Sequence, residues 1–143
     1  MGSGFLVDSE IAPLAKHLGI APDKLKKKYL EEVEILAKKR LRPKLVRKGK
    51  PYGRCIFYDT KKVCTVHDAK PLQCKVAMGC KAYSEDLMVW FMLNHLLDLD
   101  DAESIRQYSV YLKSGGKTLQ GGKLEEMVPK KVLSKVMAFD ILR

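Results

Sequence analysis

Residues Cys55 to Cys80 read C-I-F-Y-D-T-K-K-V-C-T-V-H-D-A-K-P-L-Q-C-K-V-A-M-G-C, and the interpretation of the rest of the chain depends on them. All four cysteines of the 143-residue sequence fall in this stretch, spaced C-x8-C-x9-C-x5-C at Cys55, Cys64, Cys74 and Cys80. Four thiols make one complete tetrahedral ligand set, which suits a structural zinc ion or an iron–sulfur cluster. The two C-x2-C knuckles of an ordinary zinc ribbon are absent, so the spacing leaves the choice between these groups open.

Local pattern suggests how the four thiols converge. Two short strand-like pieces, Cys55 to Tyr58 and Val63 to Val66, flank Asp59 to Lys62 and predict a β-hairpin that brings Cys55 near Cys64. Pro71 pre-sets the first position of a helical turn, placing Cys74 beside backbone N–H groups that favour a thiolate. Gly79 allows the backbone to fold back and return Cys80. Strand alternation points His67 away from Cys64, so it reads as a packing or surface residue. His17 and His95 sit among apolar residues and read as partly buried core histidines.

Upstream, Asp8 and Ser9 supply N-cap oxygens for a short helix carrying Ile11, Leu14, Ala15 and Leu18, which Gly19 stops. A second helix is expected from Pro22 to about Arg40, with a stripe of Leu25, Tyr29, Val33, Leu36 and Ala37 and lysines on its other faces. A basic, glycine-containing connection follows, Lys44 to Gly53. Downstream, a helix opens at Ser84 or Glu85 and carries Leu87, Val89, Trp90, Phe91, Leu93, Leu96 and Leu97, apolar nearly all round. Asp101 caps the next, which ends at Ser114-Gly115-Gly116. Gly121-Gly122 marks a loop, and a last helix begins near Pro129. The fold class expected is mainly α with a small β-hairpin (α+β): a cysteine-cluster region over 1–83 and a helical C-terminal extension over 84–143 that packs on it as one unit.

The sequence is 46% apolar, enough to bury a core, and carries 27 Lys plus Arg against 17 Asp plus Glu, a formal charge of +10. In chain order the charge is +7 over residues 1–50, +3 over 51–80 and 0 over 81–143. Such an excess attracts nucleic acid, anionic lipid or an acidic protein partner. Lysines distributed around a helix are ordinary solvated charges, so the Lys24 to Lys50 segment is not expected to read nucleic-acid sequence. Tyr52, Phe57 and Tyr58 are read as hairpin core rather than as stacking residues. Met1 to Val7 lacks a basic n-region, and the apolar run Leu87 to Leu97 is interrupted by Asn94 and His95 and is too short to span a bilayer. The expectation is therefore a cytoplasmic protein with no membrane partner, in which clustered thiols serve metal or redox chemistry rather than structural disulfides. No phosphate-binding glycine loop of the GxxxxGK[ST] or GxGxxG type is present.

The run G-F-L-V-D-S-E-I-A-P-L-A-K-H-L-G-I from Gly4, then K-K-Y-L, C-I-F-Y-D, C-T-V-H and K-P-L-Q-C, resembles the YkgJ-type family of zinc- or iron-chelating CxxCxxCC domains. The resemblance spans about half the chain. Cys55, Cys64 and Cys74 match the family's three later cysteine positions, and Cys80 a more variable fourth. The family's leading CxxCxxCC is missing, since it would end just before Gly4, which implies a trimmed or diverged member or a missing upstream piece. Lys70 and Lys75 stand where Arg is common in the family, which removes a planar guanidinium fork.

Together these observations imply a metal-binding cysteine-cluster protein, with Cys55, Cys64, Cys74 and Cys80 as ligands of zinc or an iron–sulfur cluster. Two alternatives stand beside it: a protein-lysine methylating or redox enzyme component, as the resemblance implies, and a basic nucleic-acid-binding module with structural zinc.

Overall fold

The computed structural model describes residues 3–78, 84–116, 130 and 131. Its helices are α1 (Ile11–His17), α2 (Pro22–Tyr29), α3 (Leu72–Met78), α4 (Ser84–Phe91) and α5 (Ala102–Lys113). Its strands pair as three separate two-stranded antiparallel sheets: β1 (Leu30–Ile35) with β2 (Lys38–Pro43), β3 (Leu45–Val46) with β4 (Arg54–Cys55), and β5 (Tyr58–Asp59) with β6 (Val63–Cys64). The α+β class expected from the sequence is the one adopted, but with three small sheets in place of one hairpin.

The largest correction concerns the second helix. It ends at Tyr29, and Leu30 turns to extended backbone at φ −108° and ψ 153°. From there L-E-E-V-E-I alternates: Glu32 and Glu34 are exposed, while Val33 and Ile35 are half-buried. A two-residue turn at Leu36-Ala37 reverses the chain, both residues in the left-handed region at φ 48° and 61°. That is the geometry of a tight hairpin turn, here made without the glycine or asparagine that usually announces one.

The chain divides into two units: Met1–Val33 with Arg40–Cys74, and Glu34–Lys39 with the described residues from Lys75 onward. In the first, Leu6, Ile11, Leu14, Leu25, Phe57 and Val66 form the buried core. Tyr29 stacks on Phe57 at a ring separation of 5.6 Å. The N-terminal segment is strapped across this unit by three hydrogen bonds: Ser3 Oγ to the Pro43 carbonyl, the Leu6 N–H to the Leu41 carbonyl, and the Phe5 N–H to Gln73 Oε1. Glu10 works at both ends of its carboxylate, accepting from the Val7 N–H through Oε2 and from the Leu72 N–H, at the start of α3, through Oε1.

In the second unit α4 runs into a π-helical turn, Met92–Leu96, closed by the Leu97 N–H on the Met92 carbonyl. The Asn94 side chain donates to the Trp90 carbonyl, taking the acceptor that an ordinary i→i−4 ladder would fill with the Asn94 backbone. His95 is half-buried against Trp90 and Phe91, with ring separations of 5.5 and 5.0 Å, as expected. His17 is instead exposed at the end of α1. The Asp101 carboxylate accepts from the Glu103 N–H and caps α5, which ends before Gly115 at φ +87°. Lys38 in the hairpin tip pairs with Asp98 and Asp101 at 3.1 and 3.3 Å. The glycine pair 121–122 and the helix expected from Pro129 lie outside the described residues, apart from helical backbone at Lys130 and Lys131.

Candidate metal centre

Three of the four cysteines are described, and all three belong to the first unit. Cys55 does not pair with the Val63 to Val66 piece; it lies in β4 opposite Leu45, after which Ile56-Phe57 form a turn. The following hairpin is shorter than the sequence suggested, with Tyr58 opposite Cys64 and Asp59 opposite Val63. Asp59 fixes this loop by accepting from the Lys61 and Lys62 N–H groups, both at 2.8 Å, which holds its carboxyl below the usual range. The expected chain reversal is therefore real, but it acts on Tyr58 and leaves Cys55 on a neighbouring sheet.

Both Cys55 and Cys64 are half-buried against the core. Cys74 comes from the first turn of α3, three residues after the buried Pro71. The three sulfurs lie within electrostatic reach of one another: a charge on Cys64 raises the Cys55 thiol, and charges on Cys55 and Cys64 both raise Cys74. None is in a disulfide.

At Cys74 burial acts against the thiolate that the start of α3 is expected to favour. Burial pushes its thiol up to about 11, outweighing the two influences that act the other way, a hydrogen bond from the Gly4 backbone and the positive charge of Lys70. Burial likewise raises Cys55, against a hydrogen bond from the Phe57 backbone. Desolvation penalises the charged form of any acid, and here it exceeds what one or two N–H donors return. Without a cation both sites hold neutral thiols.

Two residues shape the Cys74 surroundings. Gly4 approaches so closely that a Cβ there would stand 2.7 Å from the Cys74 sulfur and 3.2 Å from its backbone nitrogen. Lys70 is only 5% exposed, an unusual burial for an ammonium. The sequence reading treated Lys70 as a lost arginine fork, and its burial was not foreseen. Its signal is the position directly before Pro71, where the chain is held extended at φ −61° and ψ 135°.

His67 does not lie in a strand; it starts a 3-10 turn over His67–Ala69, so the alternation argument about its direction does not apply. Cys80 lies outside the described residues. Among the described residues no group of three or more His, Cys, Asp or Glu side chains is arranged to hold a metal ion. Among them, too, no helix is long and apolar enough to cross a membrane. No family model, curated protein or solved structure matches the chain.

Proposed function

We propose that the chain is a metal-binding cysteine-cluster protein of a reducing, cytoplasmic-type compartment, with Cys55, Cys64 and Cys74 as soft ligands and Cys80 as the fourth. What supports this reading is that three cysteines, from β4, β6 and α3, belong to the first unit, Cys55 and Cys64 packed on its core and Cys74 against Gly4. The donor set fits zinc or an iron–sulfur cluster, both of which take thiolates. The metal-free arrangement is looser than a coordination shell, so binding would draw the sulfurs together and displace their protons. Part of the binding free energy then goes into ordering this segment, as is usual for small metal sites. The buried Lys70 charge offsets the surplus negative charge of a thiolate shell, and the Gly4 N–H supplies a hydrogen bond to sulfur of the kind that tunes such centres.

Membership of the CxxCxxCC-type family is part of this proposal and rests on the residues quoted above. An enzymatic role as a lysine methylating or redox component is a subsidiary reading, for which turnover with S-adenosylmethionine is the direct assay. The main test is anaerobic purification followed by metal analysis, visible absorption and thiol counting, on wild type, Cys74→Ser and Cys80→Ser. A brown protein containing iron and sulfide identifies a cluster, and a colourless one with a single zinc identifies a structural ion. Four reactive thiols with neither metal would sink the proposal.

A further inference from the structure

Tyr52, expected to be hairpin core, is instead exposed beside the basic segment. Arg42, Arg47, Lys48, Lys50 and Arg54 line a cavity of about 570 Å³ on the first unit, together with Tyr52. The Tyr52 ring is 66% exposed, with the Lys50 ammonium 5.7 Å from its centroid. A second concavity of about 290 Å³ shares Val46, Lys48 and Arg54 with the first and continues past Cys55 to Tyr58, Asp59 and Thr60. The two form one continuous basic face.

Its charges are partly fixed in place. Glu31 receives both terminal nitrogens of Arg47 at 2.8 Å and Nε of Arg42 at 2.9 Å, so one carboxylate orients two guanidinium groups. Glu31 bridges these two arginines and Asp59 lines the second concavity, and five cations against these two carboxylates leave the face positive. Each guanidinium retains N–H donors beyond those given to Glu31. The Arg54 guanidinium sits 5.4 Å from the Tyr58 ring centroid, which steadies it at the far end of the face.

We propose that this face binds single-stranded nucleic acid without sequence selectivity, its phosphates lying along Arg47, Lys48, Lys50 and Arg54 and one base stacking on Tyr52. Charge complementarity selects a polyanion, and the exposed ring supplies the π-surface on which any base can stack. The joined concavities suit a strand of several nucleotides better than a lone mononucleotide. A lipid surface fits less well, because the charges line a hollow. The far end of the face adjoins Cys55 of the proposed metal centre, whereas Lys48, Lys50 and Tyr52 all line the first concavity, which Cys55 does not reach.

The test is fluorescence anisotropy of the full chain with a labelled oligothymidylate of about ten nucleotides, over a salt series. Contact with three or four phosphates gives a slope of log affinity against log salt of roughly −2 to −3. Replacing the thymines with a mixed sequence should leave affinity within a few-fold. Tyr52→Ala should weaken binding about tenfold while Tyr52→Trp preserves it. Lys48→Gln with Lys50→Gln should flatten the slope by about 1.4, one phosphate contact for each lysine. Melting curves of these exposed-site variants should overlay wild type. Absence of binding at low salt, binding that Tyr52→Ala leaves unchanged, or capture by phosphatidylserine vesicles or polyglutamate in place of the oligonucleotide would each overturn the proposal.

Discussion

Arg54 and Cys55 are neighbours in β4 and both reach the second concavity, yet they meet very different surroundings. Paired with Val46, Arg54 is exposed and lines the basic hollow; paired with Leu45, Cys55 is half-buried against the core. A single peptide step thus separates an exposed cation from a thiol whose charged form burial disfavours. Burial raises the Cys55 and Cys74 thiols and disfavours their charged form, a penalty that an exposed side chain such as Arg54 does not meet.

Phe57→Ala should have the largest effect, because this side chain is 4% exposed, stacks on Tyr29 and packs in the core that supports both faces. Removing a buried aromatic ring costs about 3–5 kcal/mol, and a denaturant titration should show that much lost. If the thiol side and the basic face have separate supports, one of them should survive in this variant, and the comparison drawn above would need revision.

Two glycines sharpen the contrast more selectively. Gly4→Ala drives a methyl into the Cys74 sulfur, and Gly53→Ala drives one to 2.3 Å from the Val46 carbonyl oxygen. Each should cost about 1–3 kcal/mol through overpacking. Thiol-alkylation rates should change in the first variant alone, since its methyl meets Cys74, and the tyrosine environment near Tyr52 in the second alone.

A pH titration of the metal-free protein separates the faces by charge. The folded Cys74 thiol is raised above its ordinary value of 9.0 to about 11, so the stability that burial of the neutral form contributes is complete below pH 9. It is lost as pH rises from there through 11, by on the order of 2–3 kcal/mol. Alkylation of Cys74 should follow the same window, and a midpoint at or below 9 would contradict the burial argument. Glu31 behaves in the opposite sense. Hydrogen bonds from Arg47 lead its causes and hold its carboxyl below 4.5, so its contribution is present above that value and fades as pH falls below it. Solvent screens this partly exposed pair, and Glu31→Gln should lower Tm by only a few degrees, the smallest effect predicted here.

What could be read in advance depended on whether a residue type has one structural meaning. Asp101 as an N-cap and Gly115 as a helix stop each have one, and α5 was placed correctly from them. The apolar residues Leu25, Tyr29, Val33, Leu36 and Ala37 satisfy helical spacing, but Val33 and Ile35 between exposed Glu32 and Glu34 also satisfy a strand. Tertiary packing decides between such periods, and the usual turn residues were missing at Leu36-Ala37. At the candidate site, the nearness of Cys55 and Cys64 was anticipated through a hairpin whose true limits exclude Cys55. The high Cys74 value was not anticipated, because it comes from burial beneath a segment seventy positions away in sequence.

That segment also has a bearing on the order in which the chain matures. Ser3, Phe5 and Leu6 are synthesised well before their partners Pro43, Gln73 and Leu41. The strap cannot close until Gln73 has left the ribosome, so the Gly4 backbone reaches Cys74 only after nearly all of the first unit has been made. During that interval the thiols lack their N-terminal cover. The nascent protein thus has a period in which a metal or a chaperone meets the cysteines more openly than it does in the finished fold.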